Sequence, residues 1–209
     1  MTTKVDMWFD PKCPWAWIAS RWLLEVEQVR PEVEVSFHVL SLAWLNRDRE
    51  VEGWYRDWLD TAWAPARIAM AVERKYGEGA REVRELYTAM GNRIHLDKQP
   101  LSRELYEAAL AEVGLSTEFA DAADDASYDE ALRAGTEAGL GPVGEDLGTP
   151  AIHVHGADGA VNAFFGPVVT PIPRGEAAGR LWDGVLLVSG TPGFYELKRA
   201  RVSGPVTTG

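Results

Sequence analysis

Cys13 is the one cysteine among 209 residues, and it stands in Cys13-Pro14-Trp15-Ala16. An apolar run, Val5 to Phe9, precedes it and ends in Asp10-Pro11, the pattern of a strand closing in a turn. After Pro14 the period changes. Trp15, Ile18, Trp22, Val26 and Val29 recur at three- and four-residue steps, which predicts a helix with one buried face. A thiol at such a strand-to-helix junction lies beside amides that lack intrahelical partners and beside the positive end of the dipole. That setting favours the thiolate, the nucleophilic form, and lowers a cysteine pKa from about 8.5 to roughly 3.5–7.5. Pro14 fits the first helical turn because the N–H it lacks has no bond to lose. The competing reading of a lone cysteine is a small buried hydrophobe with no chemistry.

The elements that must position Cys13 follow from periodicity. Val33 to Leu42 alternates Val33, Val35, Phe37 and Val39 with polar residues, a second strand after a helix that ends at Arg30-Pro31. Strand, helix and strand within about forty residues make a βαβ unit with parallel pairing. From Trp44 to Asp146 helical spacing dominates, as in Ala64 to Tyr76, Glu82 to Arg93 and Ser102 to Glu112. Strand signals return at Ala151 to Val154 and Val161 to Val168 around Ala157-Asp158-Gly159, which predicts an antiparallel hairpin. A last helix fits Gly175 to about Val188, and the small, polar tail from Ser203 to Gly209 reads as frayed. The order βαβ, helices, ββα is an α/β thioredoxin-like core (1–43 and 147–209) interrupted by an all-helical insertion domain (44–146). In that fold the proline of Gly148-Thr149-Pro150, just before the third strand, is placed for a cis bond that turns the Thr149 backbone toward the Cys13 sulfur. An ordinary trans proline opening a strand is the other reading.

The chain resembles DsbA-like thioredoxin-fold proteins, and more closely the mycothiol-dependent nitroreductase group, which uses mycothiol as reductant. The likeness is carried by Trp8-Phe9-Asp10-Pro11, Cys13-Pro14-Trp15, Ser20-Arg21-Trp22, Met90 to His95, Val143-Gly144-Glu145-Asp146, Gly148-Thr149-Pro150, Phe164 to Pro167 and Ile172 to Glu176. It implies that Cys13 is the nucleophile, with Pro14 and Trp15 completing its motif and Pro150 the cis-proline. It also implies that Thr149, Asn46, Tyr55 and His95 border the substrate cleft. Mycothiol would be a cosubstrate, with no tightly bound cofactor and no metal. The partners implied are a low-molecular-weight thiol and a small-molecule or protein disulfide, and a homodimer is left open. This sequence departs from the Cys-Pro-Trp-Cys of the best-known members at Ala16. Without a resolving thiol, a mixed disulfide on Cys13 is released only by an external thiolate, so the implied mechanism is monothiol.

Two other classes compete. A kappa-type glutathione transferase or related isomerase shares the inserted architecture and activates a bound thiol without redox cycling, but usually carries Ser at the nucleophile position. A non-catalytic binding module would hold Cys13 inert.

Composition excludes more than it selects. The net charge of −11 argues against nucleic acid and anionic membrane surfaces as partners. One cysteine forbids an intrachain disulfide and a multi-cysteine zinc site. No secretory signal and no run of about 18 apolar residues is seen, so the expected compartment is the cytoplasm. Gly139-Leu140-Gly141-Pro142-Val143-Gly144 has the letters of a dinucleotide fingerprint but follows a helix and precedes a strand, the reverse of the required order. His153 and His155 share a strand face and read as packed or surface residues rather than ligands. Trp54, Tyr55 and Trp58, with Trp44 and Trp63 nearby, form either a packing interface or an apolar lid over Cys13.

Overall fold

The computed structural model describes residues 2–144 and 146–208. Glu145, part of one motif above, lies outside the described residues. Among the described residues four strands form one sheet in the order β2-β1-β3-β4, with β1 Thr3–Phe9, β2 Val33–Val39, β3 Ala151–His155 and β4 Val161–Phe165. β1 and β2 pair in parallel, Val5 opposite Val35 and Phe9 opposite Val39. β3 runs antiparallel to β1 and to β4. The hairpin predicted around Ala157-Asp158-Gly159 forms, closed by the Gly156 amide on the Ala160 carbonyl at 2.8 Å.

Helix α1 (Pro14–Val29) returns the chain from β1 to β2, as a parallel pair requires. Between β2 and β3 lie α2 (Leu42–Leu45), α3 (Gly53–Asp60), α4 (Trp63–Tyr76), α5 (Arg81–Gly91), α6 (Arg103–Glu112) and α7 (Asp129–Leu140). A π-helical turn, Asn92–Leu96, prolongs α5. α8 (Gly175–Ser189) closes the fold against α1, where the Trp22 indole donates to the Ala178 carbonyl at 3.1 Å. No helix among the described residues is long and apolar enough to cross a membrane.

Strand alternation splits β1 between two environments. Val5, Met7 and Phe9 are fully buried in the apolar core, and Phe9 stacks on Tyr87 of α5 with centroids 3.7 Å apart. Asp6 and Trp8 face the other way, toward α7. Trp8 is held between the rings of His38 and His153, at 4.7 and 4.2 Å. His153 bonds the Gly139 carbonyl at 3.0 Å, and Asp6 takes His38 on one oxygen and His155 on the other, at 3.1 and 2.6 Å. The two strand histidines are thus packed and partnered. Among the described residues no group of three or more His, Cys, Asp or Glu is arranged to hold a metal ion.

Two expectations change. The buried face of α1 is centred on Trp17, Ile18 and Trp22, while Trp15 is only partly covered. Within the tail, Val206 and Thr207 are tied down rather than frayed. Thr207 is buried, its hydroxyl donates to the His95 carbonyl at 2.7 Å and accepts from Lys98 Nζ at 3.1 Å, and the Val206 amide donates to Thr170 Oγ1 at 2.8 Å. A few specific hydrogen bonds hold a polar segment that has too little apolar surface to announce burial in its sequence.

Candidate functional site

Cys13 sits at the N-cap of α1 with extended backbone, and Pro14 begins the helix. The Thr149–Pro150 bond is cis, and the Cys13 Sγ lies 3.7 Å from the Thr149 carbonyl oxygen, to which the thiol donates. Thr149 is fixed from the other side, its hydroxyl donating to the Trp8 carbonyl at 2.6 Å. The β1 end, the α1 start and the β3 start thus converge on one sulfur.

The loop under the sulfur is built by Asp10, which the sequence reading passed over. Its carboxylate is fully buried and accepts the amides of Lys12 (2.9 Å) and Leu42 (2.8 Å), while its carbonyl accepts the Cys13 amide at 3.0 Å. Burial raises the Asp10 carboxyl to about 6 against the pull of those two amides and of Lys12. Burial also pushes the Cys13 thiol up to about 12. The amides of Ala16 and Trp15 favour the thiolate, but desolvation together with the Asp10 charge outweighs them. The expected low thiol pKa is therefore reversed in this closed arrangement: the helix N-terminus acts as foreseen, and burial acts more strongly.

Helix α3 packs beside the Cys13 loop. Lys12 Nζ donates to the Trp58 carbonyl at 2.5 Å and to the Thr61 hydroxyl, and stands 4.5 Å from the centroid of the Trp58 ring. Tyr55 stacks on Trp58 with planes 20° apart. Burial raises the Tyr55 phenol, with the nearby Cys13 and Asp10 adding to the rise. Trp54, by contrast, is largely exposed. Trp15 lies on the open side of the motif, under the guanidinium of Arg201 at 5.5 Å.

The two remaining residues have supporting positions. His95 is buried in the π turn, and its Nε2 lies 2.9 Å from the Pro11 carbonyl. A carbonyl only accepts, so that nitrogen carries the proton. Burial pulls His95 down to about 4 against that bond, so it is neutral at pH 7 and braces the Cys13 loop as a donor. Asn46 ends α2: its Nδ2 donates to the Leu42 carbonyl at 2.9 Å and its Oδ1 accepts from Arg49 at 3.4 Å. Its amide is thus engaged within the α2–α3 connection rather than with Cys13. The signal that could have revealed Asp10 and Lys12 was adjacency, since both belong to the tight turn that presents the thiol.

The chain is 30% identical over 202 residues to the uncharacterized protein Rv2286c of Mycobacterium tuberculosis, covering 95% of this chain and 83% of that one. Its fold matches a probable DsbA oxidoreductase, SCO1869, from Streptomyces coelicolor (TM-score 0.54, 16% identity, 97% of each chain). It also matches the cytosolic disulfide reductase DsbM from Pseudomonas aeruginosa (TM-score 0.50, 20% identity, 88% of this chain and 98% of that one). At those identities the two structures establish the DsbA-like thioredoxin fold. The model of the Rv2466c-like family, described as mycothiol-dependent nitroreductase Rv2466c, matches residues 12–199, from the Cys13 loop to beyond α8, and the chain belongs to that family.

Proposed function

We propose that this protein is a cytoplasmic thiol–disulfide oxidoreductase that works with mycothiol through Cys13 alone. The observation carrying this reading is the 3.7 Å approach of the Cys13 sulfur to the Thr149 carbonyl beside cis-Pro150, at a helix start where position 16 is alanine. Thioredoxin-like residues 1–43 and 147–209 present the thiol, and the helical block 44–146 covers it. A substrate displacing Tyr55 and Trp58 rewets the sulfur, leaving the amides of Trp15 and Ala16 to stabilise the thiolate. That thiolate attacks one sulfur of a disulfide, forms a mixed disulfide and expels the other sulfur as thiolate. Mycothiol thiolate then attacks the adduct, taking its sulfur into a new disulfide and returning Cys13. Nitroaromatics and other small reducible electrophiles are further substrates: two mycothiols become one disulfide and give up two electrons and two protons, with which a nitro group becomes a nitroso group and water. Pro14 and Trp15 shape the nucleophile, Thr149 offers its backbone to the bound sulfur, and Tyr55 forms the apolar wall. His95 and Asn46 hold the loops on either side.

Intact-mass measurement after incubation with oxidised mycothiol, and separately with oxidised glutathione, tests this. One adduct on Cys13, forming faster with mycothiol and removed by mycothiol, is expected. Absence of any adduct under both conditions overturns it. A second reading is favoured by the buried, protonated thiol: a non-catalytic binding module in which Cys13 is inert. It predicts no adduct with either disulfide and slow alkylation at pH 6.

A further inference from the structure

After α8 the chain turns at residues 191–194, where the Phe194 amide donates to the Thr191 carbonyl at 3.1 Å, and then runs without helix or strand to the anchored pair Val206 and Thr207. Residues 195–205 of this strap are exposed throughout. They carry Lys198, Arg199 and Arg201 against one carboxylate, Glu196, in a chain whose net charge is −11. The strap therefore opposes the sign of the rest of the molecule. Its cations are also unpaired. Elsewhere arginines pair closely, Arg67 with Asp129 at 2.7 Å and Arg84 with Glu27 at 2.6 Å. Among the described residues no carboxylate lies within ion-pair distance of Lys198, Arg199 or Arg201.

Arg201 is the strap cation that reaches the Cys13 motif. Its guanidinium carbon stands 5.5 Å from the centroid of the Trp15 ring. The backbone end of Trp15 serves the sulfur, its amide being one of the two that favour the Cys13 thiolate, and the ring end carries Arg201. A single residue thus links the thiol to the strap. An arginine over an aromatic ring is held by the ring quadrupole, which leaves its N–H donors for another partner. Among the described residues none of those donors is bonded to an acceptor. One guanidinium matches one carboxylate both in charge and in the fork geometry of its donors.

We propose that Arg201, seated on Trp15, recognises a carboxylate on the small disulfide that Cys13 attacks. The carboxylate belongs to the half that becomes bonded to Cys13. The S–S bond of the substrate breaks, an S–S bond to Cys13 forms, the other half leaves as thiolate, and the carboxylate takes no part in the bond changes. This names a substrate class for the exchange proposed above and rests on that reading for the substrate's chemistry.

The test uses alkylation, which separates recognition from exchange. Cys13 is reacted with iodoacetanilide and with its 4-carboxy derivative, which differ by one carboxylate a ring's length from the carbon attacked. The thiolate sulfur bonds to that carbon and iodide leaves. The ratio of the two rates, charged over neutral, is expected to fall about threefold or more in Arg201→Gln, the effect of one charge at close range, and to fall likewise near ~1 M sodium chloride. Arg199→Gln, on the same strap, is expected to keep the ratio within about twofold. An unchanged ratio in Arg201→Gln, a fall of equal size in Arg199→Gln, or no alkylation of the folded protein by either reagent overturns the proposal. If the ratio falls as expected but oxidised mycothiol and oxidised glutathione form no adduct, the exchange reading fails while recognition of a carboxylate stands. Adducts without the fall in ratio remove the carboxylate site alone.

Discussion

Asp10 Oδ2 accepts the Leu42 amide at 2.8 Å, so the loop that carries Cys13 hangs from the beginning of α2 by a single buried carboxylate. The carboxylate orders the loop, and its charge opposes ionisation of the thiol it supports. In Asp10→Asn that charge is gone. Reaction of Cys13 with dithiodipyridine is then expected to quicken about three- to tenfold at pH 8, the effect of losing one nearby like charge. Near pH 5 Asp10 is largely neutral in the unaltered protein, and the two rates should converge. Equal rates at pH 8 would show that the carboxylate does not act on the sulfur.

The same residue leaves a mark on stability. Its folded pKa of about 6 lies above the ordinary 3.8, so the stabilisation is complete below pH 3.8 and is lost as pH rises through 6. The amplitude is about 3 kcal/mol for a group buried this fully. Urea midpoints of Asp10→Asn between pH 4 and 7 should therefore vary less than those of the unaltered protein, whatever the offset from the altered hydrogen bonds.

Cys13 itself gives a prediction of opposite practical sense to its motif. With the thiol pushed up to about 12, alkylation by iodoacetamide should rise with pH and show no plateau below pH 10. Removing the Tyr55 and Trp58 rings by double alanine substitution should raise the rate about five- to thirtyfold and weaken aromatic substrates comparably, with the cooperative melt retained. A plateau below pH 7 would mean that the helix amides outweigh burial. Loss of the cooperative melt would assign the rings to packing alone.

Much of this was legible in sequence, and the limits have physical causes. Strand alternation and helical spacing are local signals, so β1, α1, β2 and the hairpin could be read from period alone. Cys13 and Pro150 stand out because each lies at a junction of elements. Asp10 could not be read as buried, because its burial is created by the start of α2, 32 residues away. The docking of Thr207 on the π turn spans 112 residues and depends on one hydroxyl. The protonation of Cys13 depends on desolvation summed over many residues, which no motif encodes.

His38 offers a test on the far face of the sheet. Burial works against its charge, but the hydrogen bond to Asp6 and the close carboxylate of Glu73, 3.5 Å away, raise it to about 9 from 6.5. Stability from this group is complete below pH 6.5 and disappears as pH rises through 9. Asp6, whose own pKa is lowered by the two histidines against burial, loses its share at the acid end. Asp6→Asn should therefore cost about 1–3 kcal/mol near pH 6, with the gap to the unaltered protein narrowing above pH 9 and at strongly acid pH. A gap that does not change with pH would show a steric rather than an ionic role.

Gly139 opens the stretch that imitates a dinucleotide loop, and its contacts give the glycine another reason. It lies near the end of α7, and a Cβ there would stand 2.5 Å from Cγ of Trp8. Trp8 cannot give way easily, being held between His38 and His153. Helix propensity alone favours Gly→Ala by about 1 kcal/mol, whereas overpacking a fixed ring costs about 1–3 kcal/mol or more. Gly139→Ala should thus lower the urea midpoint. Gly184→Ala in α8, where nothing lies within 4 Å of the added methyl, should raise it. If both variants are stabilised, the closeness of α7 to Trp8 is not what requires glycine at position 139.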